Sequence, residues 1–281
     1  DSRTSFAFSG LTIPITSFTR RTYFRPRTEE PCVIECAPMT ASITLHSLPP
    51  SHPSRAAEVA IRLKGLPYEK VDLAPGEHNA AMEEIYGEGN RTVPGIVVDG
   101  EAIHGSVAIM SKLEELAPDP PLFPEPIADR VREAERWGDE QLQQLGRDLG
   151  WGALHFRPEA MGVMGGGDPL DPAGTDFAIR YVRAAWKYHG ISAVRIAEDL
   201  ESLPAKLDHV DLLVGDGIIG AEQPNAADLQ IGSTLRVFLT IGDVRPLVEG
   251  RPGEEIAMRH FPDYPGEIPA GAFPAAWVPS R

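Results

Sequence analysis

Residues 92–106 read TVPGIVVDGEAIHGS, and this stretch decides the fold. Val93 and Pro94 precede a β-branched run, where a proline is tolerated only at the start of a strand. The Asp-Gly pair that follows predicts a tight hairpin turn, because both central residues of such a turn need positive φ. A second short strand comes next, and Ser106 opens a helix. An X-Pro bond here can be cis, with its neighbouring amide and carbonyl turned toward an extended, peptide-like ligand. The helix start would bind a carboxylate of that ligand.

The length and charge of the whole chain limit its function. Its 281 residues, 42% of them hydrophobic, are enough for one large domain or two modest ones. The formal net charge of −15 argues against a nucleic-acid partner, which would need a basic surface. No apolar run approaches the ~20 residues of a membrane span. We therefore expect a soluble, cytoplasmic protein with neither a nucleic-acid nor a membrane partner.

Cys32 and Cys36 are the two cysteines of the chain. Their spacing has no matching Cys or His pair nearby, so we predict no metal site and no zinc. A disulfide framework is not expected in a chain this long with so few cysteines. Because no cysteine follows position 36, no protein thiol is predicted to act in catalysis.

Residues 1–38 differ from the rest of the chain in composition. They are rich in Ser, Thr, Arg and aromatic residues and show neither helical nor strand periodicity. A cleavable targeting segment would have this character, although three glutamates argue against it. The alternative, which we favour, is an unstructured extension upstream of a natural start at Met39.

Residues 39–118 predict a βαβ unit, a further helix and a ββα unit. Strands are expected at 43–48 and 68–73, with a helix at 55–64 between them for which Ser54 is the natural N-cap. A connection this short between strands implies a parallel pair. A helix at 80–86, the hairpin described above and a helix at 106–116 complete this α/β domain.

The remainder of the chain is predicted to be all-α. A proline-rich linker occupies 119–126, and a helical domain follows at 127–249. Its helices are expected at residues 127–144, 175–189, 192–213 and 226–241. Residues 250–281 are a tail rich in Pro and Gly.

This order of elements, with Val93-Pro94 before the third strand, resembles the cytosolic glutathione S-transferase family from about residue 43 to 242. The resemblance implies a thioredoxin-like βαβ-α-ββα domain followed by a helical bundle. It includes the run GDGIIGAEQPNAADL at 215–229, which is similar to the family's N-capping box before a buried helix. Asn225 would cap an amide three residues on, and Asp228 would reach back to the Asn225 amide, so Asp228 is read as structural.

The loop after the first strand, PPSHPSRA at 49–56, resembles the serine-type active-site loop of theta- and delta-like transferases. Ser51 then stands at the catalytic position, where its hydroxyl would donate a hydrogen bond to the sulfur of glutathione. That bond favours the thiolate, which is the reactive form. A turn role for Ser51 is the alternative. His52 flanks the site and either tunes the thiol or is a solvated loop residue.

The resemblance also supplies a glutathione-binding set: Arg91, Val93, Pro94, Gly105 and Ser106. The Val93-Pro94 backbone would bond the cysteinyl unit, and Ser106 the γ-glutamyl carboxylate. Many family members carry an acidic residue or Gln where this chain has Gly105, so a side chain for the γ-glutamyl amine is missing. Arg91 would steady an anionic ligand or is simply a surface arginine.

The leading hypothesis is therefore a homodimeric transferase that conjugates glutathione, its co-substrate, to small hydrophobic electrophiles. Another low-molecular-weight thiol could replace glutathione. An isomerase or dehalogenase that uses glutathione on the same scaffold is a variant of this hypothesis. A non-catalytic ligand-binding or protein-interaction protein is the alternative. The electrophile pocket would come from the helical domain, at aromatic and apolar positions such as residues 137, 145, 151, 156 and 161.

Overall fold

The computed structural model describes residues 41–164, 166–264 and 266–280. The 1–38 extension and both cysteines fall outside these residues. Four strands form one mixed sheet in the order β2-β1-β3-β4: β1 (Ile43–Ser47), β2 (Tyr68–Asp72), β3 (Gly95–Val98) and β4 (Glu101–His104). The first two strands pair in parallel, and the other two neighbouring pairs are antiparallel. The predicted fold class is confirmed.

Three helices complete the α/β domain: α1 (His52–Leu63), α2 (His78–Tyr86) and α3 (Ser106–Leu116). The prediction that Ser54 caps α1 is wrong. Ser51 is the N-cap, and its side-chain oxygen accepts a hydrogen bond from the Ser54 amide at 3.3 Å. Pro53 can lie in the first turn because that turn needs no amide donor, so the helix begins three residues earlier than expected.

The helical region consists of α4 (Ala128–Trp137), a π-helical turn (Gly138–Gln143), α5 (Gln144–Phe156), α6 (Met161–Met164), α7 (Pro172–His189), α8 (Ala193–Gly215), α9 (Ala226–Thr240), α10 (Arg245–Val248) and α11 (Pro252–His260). The helix expected at 127–144 thus continues to residue 156. Glycines lower the helix propensity of its second half, but tertiary packing requires small residues there. A Cβ on Gly146 would lie 2.6 Å from the Thr234 side chain of α9.

Helix α9 is the centre of the molecule, and all its residues except Arg236 are buried. It packs against α1 of the α/β domain and against α4, α5 and α11 of the helical region. The predicted capping box is present: Asn225 Oδ1 accepts from the Asp228 amide at 3.1 Å, and Asp228 Oδ2 accepts from the Asn225 amide at 3.0 Å. Asp228 also accepts from the Gly220 amide at 2.6 Å.

The segment after residue 250, read from sequence as a tail, is packed against α9. It carries α11 and, after that helix, four large buried residues, Phe261, Tyr264, Ile268 and Phe273. The Arg236 guanidinium, the part of α9 that is not buried, donates to the carbonyls of residues 261, 262 and 264. These apolar residues have no helical or strand period, so their burial could not be recognised from the sequence pattern.

We predict that Asp228→Ala lowers the free energy of unfolding by about 2 kcal/mol or more, because two backbone amides lose their acceptor. Burial raises the pKa of Asp228 to about 6, because the buried site disfavours the charged form of this carboxyl. Urea denaturation measures the loss. Asp216→Ala is the matched control: it removes an exposed 2.7 Å ion pair with Arg130, and its effect should stay below about 1 kcal/mol. Equal effects of the two substitutions would contradict the prediction.

Candidate functional site

A cleft of about 400 Å³ lies between the sheet side of the α/β domain and the long helix of the helical region. The sheet side contributes residues 92–94, 104–108 and 111, and α1 contributes Pro53. The helical wall contributes Asp139, Gln143 and Arg147. Four residues of the predicted glutathione-binding set therefore line one cleft: Val93, Pro94, Gly105 and Ser106.

The Val93 backbone supplies an unused donor and an unused acceptor to this cleft. Its amide and carbonyl make no hydrogen bond with any residue in the described part of the chain. The Val93-Pro94 peptide bond is cis. On either side the backbone is fixed, because the Pro94 carbonyl accepts from the Gly105 amide at 3.0 Å and the Thr92 carbonyl lies 2.7 Å from His104 Nε2. Val93 can therefore pair with an extended ligand as a strand would.

The start of α3 supplies donors at the other end of the cleft. The amides of residues 106–108 and the Ser106 hydroxyl have no partner among the described residues. Helix starts with free amides favour an anion. Gly105, just before them, has φ +91°, a conformation that side-chain-bearing residues rarely adopt. A glycine is therefore suited to this position.

The helical wall of the cleft is polar. Gln143 Nε2 donates to Asp139 Oδ1 at 3.0 Å, and Gln230 of α9 donates to Gln143 Oε1 at 2.7 Å and to Asp139 Oδ1 at 3.3 Å. Burial raises the pKa of Asp139. These three side chains are bonded to one another, and Gln230 Oε1 has no partner among the described residues.

Arg147, one turn further along the helical wall, has hydrogen-bond donors without partners among the described residues. Its one hydrogen bond among the described residues runs from Nη1 to Gln144 Oε1 at 2.7 Å. The neighbouring carboxylate of Asp148 is instead paired with Arg195 at 2.6 Å. Burial lowers the pKa of Arg147, and the nearby acids compensate only in part.

Ser51 is the N-cap of α1, two residues before Pro53, and is not among the residues that line the cleft. Its oxygen accepts from the Ser54 amide and, at 2.9 Å, from the Ser54 hydroxyl, which leaves the Ser51 hydrogen free to donate. The hydroxyl of Tyr264, in the C-terminal segment, donates a hydrogen bond to the Pro50 carbonyl. This bond holds the loop that carries Ser51 in place. The sequence did not predict this hydrogen bond because 214 residues separate its partners.

Comparison with known families supports the resemblance of the α/β domain to glutathione S-transferases. Residues 45–121 match the family model described as glutathione S-transferase, N-terminal domain. The α/β domain therefore matches the N-terminal domain of glutathione S-transferases. A relative from Caenorhabditis elegans, "Probable maleylacetoacetate isomerase", is 43% identical over 68 residues, which are 24% of this chain and 31% of the relative. The chain thus matches less than a third of that relative's length.

Solved structures show the glutathione S-transferase fold over most of the chain. Beta-etherase LigF from Sphingobium sp. strain SYK-6 aligns with 79% of this chain and 94% of its own, with a TM-score of 0.57 and 18% identity. A glutathione S-transferase from Methylobacterium radiotolerans, in complex with glutathione sulfonate, aligns with 85% of this chain and 99% of its own, with a TM-score of 0.52 and 20% identity.

Other residues singled out from the sequence lie elsewhere in this transferase fold. Arg91 pairs with Glu83 at 3.5 Å, its guanidinium lies 5.7 Å from the Tyr188 ring, and it is outside the cleft lining. The positions suggested for the electrophile pocket also fall outside that lining: the Trp137 ring packs at a tilt against His209, and Leu145 is buried in the core. The cleft's helical residues Asp139, Gln143 and Arg147 were not foreseen, although their four-residue spacing on one polar helix face was available as a signal.

Two negative findings apply to the described part of the chain. No group of three or more His, Cys, Asp or Glu side chains there could hold a metal ion. No helix there is long and apolar enough to cross a membrane.

His52 is not a solvated loop residue, as one reading of the sequence had it. It is the first residue of α1 and is buried, with its ring against Gly146 of α5 and its Nε2 unpartnered among the described residues. Burial, together with the positive charge of Arg147, lowers the pKa of His52 to about 3. At neutral pH the ring is therefore an uncharged packing group.

We predict that the His52 imidazole does not titrate between about pH 5 and pH 8, where a free histidine with a pKa of ~6.5 would. Proton–carbon NMR of the imidazole Cε1–H resonances measures this directly, with His52→Gln identifying the signal. A midpoint above pH ~5 for that signal would contradict the assigned burial.

Proposed function

We propose that this protein is a glutathione-dependent enzyme that joins the tripeptide's sulfur to an electrophilic carbon. The observation that supports this most is the set of unused polar groups gathered in one cleft: the Val93 amide and carbonyl, the Ser106 hydroxyl and the first amides of α3. The Val93 backbone would pair with the cysteinyl unit of glutathione. Ser106 and the α3 amides would hold the γ-glutamyl carboxylate.

Ser51 would activate the thiol in this proposal. Its free hydrogen would donate to the sulfur, stabilise the thiolate and so lower the thiol pKa from ~8.5. Because Ser54 donates to the Ser51 oxygen, the Ser51 hydroxyl is polarised in the direction that strengthens its own donation. The thiol proton leaves to solvent, the thiolate forms a C–S bond, and the electrophile either expels a leaving group or takes up a proton.

A second candidate activity is isomerisation. It is favoured by the 43% identity of a 68-residue segment to the relative named "Probable maleylacetoacetate isomerase". In that reaction the thiolate adds to the substrate and is later expelled, so glutathione is regenerated. Consumption of free thiol therefore distinguishes conjugation from isomerisation. A homodimer and a cytoplasmic location are further proposals, based on the family resemblance.

We predict that glutathione binds the full chain and that Ser106→Ala weakens binding roughly tenfold or more, through loss of a hydrogen bond to a carboxylate. Calorimetric titration measures both affinities. Ser111→Ala is the matched control, since Ser111 lies on the same helix and also lines the cleft, away from the free amides. Its affinity should stay within about twofold of the wild type. Absence of glutathione binding to the wild type would refute the proposed function and leave another thiol or a non-catalytic role.

We predict that Ser51→Ala raises the pKa of bound thiol by roughly one unit and lowers kcat/KM by roughly 10- to 100-fold. It also removes the N-cap of α1, so the stability loss must be separated from the chemical effect. Ser51→Asp does this, because a carboxylate still caps the helix but cannot donate to sulfur and repels a thiolate. The thiolate absorbance against pH gives the pKa. An unchanged thiol pKa in both variants would exclude Ser51 from thiol activation.

A further inference from the structure

Arg147 has hydrogen-bonding capacity that nothing in the described structure uses. A guanidinium has five N–H donors and no acceptor, and only one of those donors has a partner here, the neutral amide of Gln144. Arg147 forms no ion pair within the described residues, because Asp148 is paired with Arg195. Nearby acids offset the cost of burying this guanidinium only in part, so an anionic ligand in direct contact with it would stabilise it.

The Asp139 carboxylate attracts the Arg147 guanidinium electrostatically but forms no ion pair with it among the described residues, so the Arg147 donors stay unused. The Asp139 carboxylate accepts from two amides, Gln143 and Gln230, and these amides are bonded to each other. Around Arg147 lie His52 and His189, whose pKa values burial lowers to about 3 and about 4, so they add no positive charge at neutral pH. Arg147 is thus the cationic side chain in the lining of this cleft, in a chain of net charge −15.

We infer that Arg147 is a specificity-determining residue that binds a carboxylate of the electrophilic co-substrate. The inference rests on the proposed function, in which the α3 amides and Ser106 take the γ-glutamyl carboxylate on the sheet side of the cleft. Arg147, which enters from the helical wall, then meets the reaction partner. This narrows the earlier expectation of a hydrophobic electrophile to one that also carries an anionic group. A planar carboxylate fits the fork of the guanidinium.

Binding of two matched probes to the full chain tests this inference without requiring turnover. The probes are S-benzylglutathione and S-(4-carboxybenzyl)glutathione, which differ only in one carboxylate beyond the tripeptide. The wild type should bind the carboxylated conjugate roughly 10- to 100-fold more tightly, the range of a charge-assisted hydrogen bond. Arg147→Met should abolish the preference and leave the affinity for glutathione itself within about threefold.

Control variants distinguish the loss of the Arg147 charge from a general loss of folded protein. Arg180→Met removes an exposed arginine of α7 outside the cleft and should keep the full preference. Arg147→Lys should keep part of it, since a lysine retains the charge and loses the fork. If Arg147→Met lowers the thermal midpoint strongly, Arg147→Gln provides the same comparison with a polar side chain.

Each other outcome identifies a different failure. No preference in the wild type, or a preference that survives in Arg147→Met, overturns the inference and leaves the proposed function intact. Loss of glutathione affinity equal to the loss for the carboxylated conjugate would mean that Arg147 holds a carboxylate of the tripeptide, and the assignment to the co-substrate would be wrong. If neither glutathione nor its conjugates bind the wild type, the proposed function fails and the inference falls with it.

Discussion

The capping box at the start of α9 is the interaction on which the rest of the structure depends. A helix buried on nearly every side cannot leave its first amides to water, so Asn225 and Asp228 must satisfy them from within. Once begun, α9 contacts α1 on one side and the long helix α4–α5 on the other. Those two contacts set the α/β domain against the helical region and so determine the shape of the cleft between them.

The packing around α9 also accounts for the polar wall of the cleft. Gly146 permits the close approach of α5 to Thr234 of α9, and the His52 ring of α1 packs against the same glycine. Gln230 then reaches from α9 into the wall and binds Gln143 and Asp139. These groups are bonded to one another and not to Arg147, so most of the N–H donors of this guanidinium stay unused within the described residues.

The C-terminal segment links stability to the candidate site. Arg236, whose side chain is not buried with the rest of α9, bonds to three backbone carbonyls of that segment and holds it in place. Tyr264, fixed in this way, donates to the Pro50 carbonyl next to Ser51. Burial raises the pKa of Tyr264, so its hydroxyl keeps the proton that it donates. The loop that would activate a thiol is therefore positioned by a part of the chain that is distant in sequence.

The sequence predicted those structural features that depend on neighbouring residues in the chain. The hairpin after Pro94, the helix that begins at Ser106 and the Asn225–Asp228 box were all predicted, because each depends on the backbone preferences or hydrogen bonds of a few adjacent residues. The cap of α1 was misplaced by three residues, since Ser51 and Ser54 both suit that position and only the folded loop distinguishes them.

The sequence by itself determined the order of elements, the family resemblance and four residues of the sheet-side wall: Val93, Pro94, Gly105 and Ser106. Tertiary structure alone decided what faces that wall. Arg147, Asp139 and Gln143 become cleft residues only after α9 has fixed the rotation of the long helix, and whether the Arg147 charge is compensated depends on the pairing of Asp148 with Arg195. Pairings across distant segments follow from packing, and no pattern of neighbouring residues records them.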